Sequence, residues 1–323
     1  MRWLPALLTF FSAIAVPAQT CLTAGDMDEA SRSALLTTAK RFYEMAARGD
    51  SASLRQNAIV SLASNFSGIE NAIKDNQANL AGAQATPRAP FLLKAEGTAP
   101  LPRAEFLCGV FGAQGQTRDS VVFVIPNLPP GNYGIVTLDV PSLHGAYTVS
   151  FVLQQQASDW KLGGFYARQA QISGHDGNWF ADRAREFKAK GQMHNAWFYY
   201  GEARELLVPV PFMATITTDR LYDEMQPVKP ADLAPTDLTA GGKTYKLTDL
   251  FPIPVANDFD LVVKYQSADV SDSGRTFQDN IAVMKALVAK YPELRDGFAG
   301  IVVRAVEPSG RDYGSMLAMK DIK

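Results

Sequence analysis

Apolar residues in the first part of the chain recur at helical spacing. Leu35, Ala39, Phe42, Tyr43 and Ala46 fall on one face of the segment from Asp28 to Ala47, the pattern of a helix that buries a single stripe. Gly49 predicts where that helix stops, because glycine takes the left-handed cap conformation without steric cost. Helical spacing then resumes through Leu54, Ile59, Leu62, Ile69 and Ile73 and ends near Gly82, so one long helical stretch is expected between Ser51 and Ala81. After the proline-marked segment from Pro87 to Pro102 the period changes to two. Val121 to Ile125 is a short β-branched run, Val136, Leu138 and Val140 alternate with polar neighbours, and so do Tyr147, Val149, Phe151 and Leu153. Trp160 to Tyr166 closes the series, with turns at Pro129-Pro130-Gly131-Asn132 and from Ser142 to Gly145. Helices followed by strands joined through short turns predict an α+β unit over residues 28–172, its antiparallel sheet packed on the helices.

A second helical pattern covers residues 176–210. Phe180, Ala184 and Phe187 mark one helix, Gly191 the turn, and Ala196, Tyr200 and Ala203 a second helix that Pro209 forbids from continuing. The small residues Ala196 and Ala203 are expected at the close crossing of the two axes. Pro227, Pro230 and Pro235 predict a stiff linker over residues 226–240. A small α+β domain is expected over residues 241–323. Leu261 to Tyr265 reads as a strand, and Thr276 with Asp279 as a capping-box start. The helix that follows carries Phe277, Ile281, Met284, Val288 and Tyr291 on one face, and Ile301 to Val306 with Ser315 to Met319 form a closing hairpin.

The extreme N-terminus changes the picture from a cell-interior protein to an exported one. Arg2 precedes an apolar run from Leu4 to Val16, and Val16-Pro17-Ala18 offers a small-x-small cleavage site before Gln19. Those are the three parts of a secretory signal, assigned here to residues 1–18. The mature protein is expected in the periplasm or outside the cell, with no membrane span after cleavage. Export makes the two cysteines, Cys21 and Cys108, a candidate disulfide. The alternative for Cys21 is a lipid-anchored terminus, although Ala18-Gln19-Thr20 lacks the small residue directly before the cysteine and the leucine of a lipoprotein box. Charge is nearly balanced, 31 Lys and Arg against 33 Asp and Glu, without a long run of one sign. Nucleic acid is thereby excluded as a partner, because its recognition requires clustered cations to displace phosphate counterions.

Candidate chemistry is sparse. His144, His175 and His194 have no ligand spacing to one another, so no metal and no cofactor is expected. Gly174-His175-Asp176-Gly177 reads as a turn into a helix capped by Asp176 or Asn178. No G-x-S-x-G elbow and no glycine-rich phosphate loop occurs. Cys108 lies in a strand-like setting that favours burial or a disulfide over nucleophilic chemistry. Arg48-Gly49-Asp50 is explained by a helix stop and the cap of the next helix, and Asn65-Phe66-Ser67, though a glycosylation sequon, falls inside a helical pattern. The densest unusual feature is the aromatic run Trp179, Phe180, Phe187, Trp197, Phe198, Tyr199 and Tyr200. Trp197 and Tyr199 project about 160° apart on a helix and cannot both fill one interface. They are either buried against a neighbouring domain or displayed as a partner-binding surface, and they are the candidate binding residues.

Phe42-Tyr43, Ala46, Arg48-Gly49-Asp50 and Leu54, with Trp160-Lys161-Leu162 and Phe165, make residues 30–170 resemble the nuclear-transport-factor-2-like superfamily. The helix pair at 178–209 is similar to a single tetratricopeptide repeat, except that Arg183 stands where that family prefers a large apolar residue. The first resemblance implies a sheet curved around a pocket, in a superfamily whose members range from enzymes to pure binding modules. The expected function is noncatalytic binding of a small ligand or a protein partner. The alternatives are an enzyme that uses a polar pocket of the superfamily-like domain, and a scaffold or assembly factor acting through the helical hairpin. An apolar cavity favours the first, converging Asp, Tyr, Arg or His the second, and an exposed aromatic patch the third.

Overall fold

The structure, a computed structural model, describes residues 19–113, 115–142, 145–255 and 258–323. The signal peptide assigned to 1–18 and His144 lie outside the described residues.

The chain begins with β1 (Gln19–Leu22) and four helices, α1 (Glu29–Ala47), α2 (Ser51–Gln56), α3 (Val60–Ser64) and α4 (Ser67–Leu80). Asp28 caps α1 by accepting from the Ser31 amide, and Gly49 ends it at φ +72°. The helical stretch expected from Ser51 to Ala81 is divided into three helices. Its first break is tertiary: the Ile59 amide donates to the Leu162 carbonyl, and the Leu162 amide to that of Asn57, so the chain between α2 and α3 pairs with a sheet edge. The second break leaves Asn65 exposed between α3 and α4, so the sequon lies at a helix junction and not within a helix.

The strands that follow are β2 (Thr86–Pro87), β3 (Phe91–Ala95), the long hairpin β4 (Leu101–Gly112) and β5 (Gly115–Leu128), and the meander β6 (Gly131–Ser142), β7 (Gly145–Gln156) and β8 (Asp159–Gln169). They form two sheets. The first has the order β1-β3-β6-β7-β8, with β2 also on β6. One of its faces buries Val136, Phe151 and Phe165 against Leu35, Phe42 and Tyr43 of α1, Phe42 and Phe165 lying 6.1 and 5.7 Å from the Phe151 ring. Gly134 permits this approach, because a Cβ there would stand 2.2 Å from a Leu35 methyl. The opposite face packs on the β4-β5 hairpin through Leu93, Phe106, Phe123 and Ile135. Cys21 of β1 and Cys108 of β4 form a disulfide across the two sheets, with Cα atoms 5.2 Å apart.

Two short strands, β9 (Gln171–Ile172) and β10 (His175–Asp176), lead into the antiparallel helices α5 (Gly177–Ala189) and α6 (Met193–Leu207). Ala203 is fully buried at their contact, where a Cβ on Gly177 would meet the Ala203 carbonyl at 2.8 Å. Then β11 (Met213–Thr215) joins β5 as the third strand of the second sheet, and α7 (Ile216–Met225) packs on α6. Arg185 of α5 donates two hydrogen bonds to Glu224 of α7, at 2.8 and 3.0 Å, and Tyr200 donates a third.

The closing unit contains β12 (Thr236–Ala240), β13 (Lys243–Val255), β14 (Asp258–Gln266), α8 (Ser273–Lys290), α9 (Leu294–Gly297), β15 (Gly300–Val306) and β16 (Asp312–Ala318). Its sheet runs β12-β13-β14-β15-β16, antiparallel except for β14 with β15, the pair that α8 connects. The segment expected as a linker over 226–240 is therefore in part a strand, because Thr236–Ala240 pairs with β13. The capping-box assignment is displaced by a turn: Asp272 caps α8, accepting from the Arg275 amide at 2.9 Å. The chain as a whole has an α+β fold.

One buried group in this sheet works against stability. Asp260 is 0% exposed, and no hydrogen bond of good geometry reaches either carboxylate oxygen, the Gly300 amide offering only a weak one. Burial, with Asp258 beside it, raises the Asp260 carboxyl above its ordinary 3.8. The folded state therefore holds this proton more tightly than the unfolded state, and stability falls as pH rises from the unfolded value through the folded one. Asp260→Asn, which keeps the shape and removes the charge, is expected to stabilise the protein by about 1–2 kcal/mol at pH 7.5. Urea unfolding should show the gain shrinking as pH is lowered toward 4; a gain equal at both pH values would refute a charge origin.

Candidate functional site

The second sheet ends early on one side, and a cleft opens there. β11 pairs with Val121 to Phe123, and the Val124 amide still donates to the Phe212 carbonyl at 2.9 Å. Amides alternate in direction along a strand, so the next one on that edge belongs to Pro126, which has no N–H to offer. The ladder stops. Beyond it, Ile125 to Leu128 forms one wall of a cleft of about 760 Å³. Tyr133, Val152 and Tyr166 from the hairpin-facing side of the β6-β7-β8 meander form the opposite wall, and Pro211 with Phe212 closes one side. A volume of this size suits a drug-sized molecule, for which sites span about 300–1,000 Å³.

The lining contains no Asp, Glu, Lys, Arg or His. Its polar groups are few and differ in how they are engaged. The Tyr133 hydroxyl donates to the Pro129 carbonyl at 2.8 Å and accepts from Gln154 Nε2 at 3.3 Å. The Tyr166 hydroxyl makes no hydrogen bond among the described residues; its ring stands edge-on to Phe212 with centroids 5.7 Å apart. Burial raises both phenols above the ordinary tyrosine value, so both stay protonated near neutral pH.

A second depression of about 510 Å³ lies between α1 and the turn into β8, where Ser33, Thr37, Arg41, Asn57 and Lys161 converge. It is polar and open, with Ser33, Thr37 and Arg41 exposed, and its side chains form no nucleophile–base pair. Among the described residues no group of three His, Cys, Asp or Glu could hold a metal ion, and no helix is long and apolar enough to cross a membrane.

Tyr199 is not on a binding surface. It is 6% exposed, its hydroxyl donates to the Gly297 carbonyl at 2.6 Å, and its ring packs on Phe180, Phe187 and Phe259 at 5.2, 4.9 and 5.3 Å. Burial pushes its phenol up to about 12. Trp197 is half-buried against the same core, with Lys229 Nζ 5.7 Å from its ring. The pair supplies no joint surface because α5, α7 and α9 all contact α6 and leave little of it free. Both ring nitrogens of His194 are engaged, Nδ1 with Glu293 at 2.9 Å and Nε2 with Asp232 at 3.0 Å, so neither is open to a substrate. The Tyr291 hydroxyl, donating at 2.5 Å, helps hold the Asp232 carboxyl below the usual range. His175 stacks on Trp179 at 3.8 Å, and Asp176 caps α5 by accepting from the Trp179 amide at 2.9 Å. Half-buried Glu202 on α6 is pushed up to about 7, chiefly by burial and then by Glu205, but it does not line the cleft. Cys21 and Cys108 join the sheets through the core that also underlies the cleft.

Sequence reading missed the cleft itself. Its walls come from residues 59–61, 124–133, 152–166 and 211–212, and each of these segments reads alone as a strand end or a turn. The one available signal was the crowding of Pro126, Pro129 and Pro130 at the end of an apolar strand. No family model, curated protein or solved structure matches the chain.

Proposed function

We propose that this chain is an exported, noncatalytic binding protein that holds a small, largely apolar molecule in the cleft between its two N-terminal sheets. The observation that carries the reading is a cleft of about 760 Å³ walled largely by aromatic, aliphatic and proline residues, with no Asp, Glu, Lys, Arg or His. Acid–base catalysis needs a group that can take or give a proton near neutral pH, and this lining offers only raised phenols. The helix-facing side of the first sheet, where an enzyme with the superfamily-like pocket would hold its polar groups, is packed with Phe42, Phe151 and Phe165. A scaffold role through the hairpin has less support, because its aromatics are largely buried. Export rests on the leader-like residues 1–18, and a paired Cys21–Cys108 fits an oxidising compartment. A Cys21 sulfur held in that bridge has none left for a lipid thioether.

Titration with N-phenyl-1-naphthylamine, a neutral dye that brightens in apolar sites, tests the reading. Saturable one-to-one binding is expected, weakened at least tenfold in Phe212→Ala, which removes a wall of the cleft. Absence of saturation, or undiminished binding by a folded Phe212→Ala, would overturn it.

A further inference from the structure

The groups left unengaged in the cleft narrow the chemistry of its occupant. Given the proposed binding role, on which this step rests, we infer that the ligand is an uncharged ring compound bearing an oxygen that accepts a hydrogen bond from Tyr166. Four features of the cleft lead there.

An anion or cation in this site would be taken from water with no opposite charge to meet it, at a cost of several kcal/mol. No Lys, Arg or His lines the walls for a carboxylate or phosphate, and no Asp or Glu for an amine. Charged amphiphiles, fatty acids among them, are therefore poor occupants.

The donors and acceptors can be counted. A phenol has one proton to donate, and Tyr133 has given its own to the Pro129 carbonyl. Tyr166 has not, and no side chain or backbone carbonyl among the described residues accepts from it. Tyr166 is half-buried, and a ligand that covered its hydroxyl without accepting its proton would leave it unpaired, a loss of about 1–3 kcal/mol. Gln154 donates to Tyr133 through Nε2, and its Oε1 has no partner among the described residues. Ser61 and Asn127, the other polar side chains of the lining, are exposed and keep their water, so Tyr166 is the half-buried hydroxyl whose donor a ligand must satisfy, and every polar side chain it could meet here is neutral.

The walls are flat and stiff. Tyr166 and Phe212 meet at an interplanar angle of 71°, forming a corner against which a planar ring makes face and edge contacts together. Pro126, Pro129 and Pro211 add ring surfaces with little conformational freedom to lose.

An extended peptide is a poor alternative. Adding a strand requires a run of free backbone donors on the edge it joins, and this edge presents Pro126 at the first unpaired position.

Three compounds with one skeleton test the inference by calorimetry at pH 8: naphthalene, 2-acetylnaphthalene, which adds an accepting carbonyl, and 2-naphthoate, which adds a charge. The ketone is expected to bind at least tenfold tighter than either of the others. In Tyr166→Phe, which keeps the ring against Phe212, the affinity for the ketone should fall to that for naphthalene. Naphthoate binding as tightly as the ketone, or a ketone affinity indifferent to Tyr166→Phe, would overturn the ligand class while the dye titration left the cleft standing as a binding site. If neither the dye nor any of the three compounds binds, the cleft itself is not a binding site and both readings fall.

Discussion

Removing both cysteines, Cys21→Ala with Cys108→Ala, is expected to lower the unfolding free energy by about 2–4 kcal/mol. The bridge spans 87 positions. Closing a loop of that length in the unfolded chain accounts for up to about 4.6 kcal/mol in the chain-entropy picture. The observed loss should fall below that ceiling, because β1 keeps its pairing with β3 when the bond is gone, Cys21 lying opposite Leu93. The folded state also loses a tie between two sheets that otherwise meet here through side-chain packing, the Glu105 amide bonded to Gln19 Oε1 excepted. Alanine rather than serine is the apt replacement, since Cys108 is fully buried and a hydroxyl there would need a partner. Urea melts of the double variant and the parent, both in oxidising buffer, give the difference when each is extrapolated with its own slope, because releasing the loop expands the unfolded chain and steepens the transition. A loss under about 0.5 kcal/mol, the range of ordinary surface changes, would show that the bridge contributes nothing to this fold.

How much of the molecule could be read from its sequence depended on whether a segment's partners lay nearby. The stripe on α1 was legible because that helix buries one face, and the alternation on β6 and β7 because their helix-facing positions are apolar while Thr137, Asp139, Thr148 and Ser150 stand between them. The helix break at Asn57 to Ile59 was not legible, because a strand a hundred residues later makes it. Pro252 and Pro254 concealed β13: proline argues against a central strand, yet here both lie beyond the end of β12, on an edge where the missing amides cost nothing. The misjudged residue, Tyr199, shows the same limit. Residues with large side chains follow one another around α6 from Trp197 to Tyr200, and a helix apolar on all sides is one that is surrounded. The pattern was visible, but a helical wheel names no neighbours. The cleft was the least legible feature, since it exists only where four distant segments fail to meet.

Phe180→Ala is expected to be the most damaging single truncation outside the N-terminal sheets, costing about 3–5 kcal/mol. Phe180 is 1% exposed. Its ring lies 5.2 Å from Tyr199 on the facing helix and 5.1 Å from Phe259 on β14, and Phe259 stacks in turn on Phe298 at 5.4 Å. One side chain thus touches both the hairpin and the C-terminal sheet, so truncating it opens a void that neither can fill without moving relative to the other. Tyr199 cannot slide into the space without giving up its bond to the Gly297 carbonyl. Lys188→Ala serves as the reference: on the same helix but exposed, it should shift stability by less than about 0.5 kcal/mol. Urea unfolding followed by tryptophan fluorescence reads both, because Trp179 is within 5.1 Å of the Phe180 ring. If Phe180→Ala cost no more than Lys188→Ala, the hairpin would not be packed on the sheet through this cluster. Its aromatics would then be free to face a partner, which is the arrangement the scaffold reading requires.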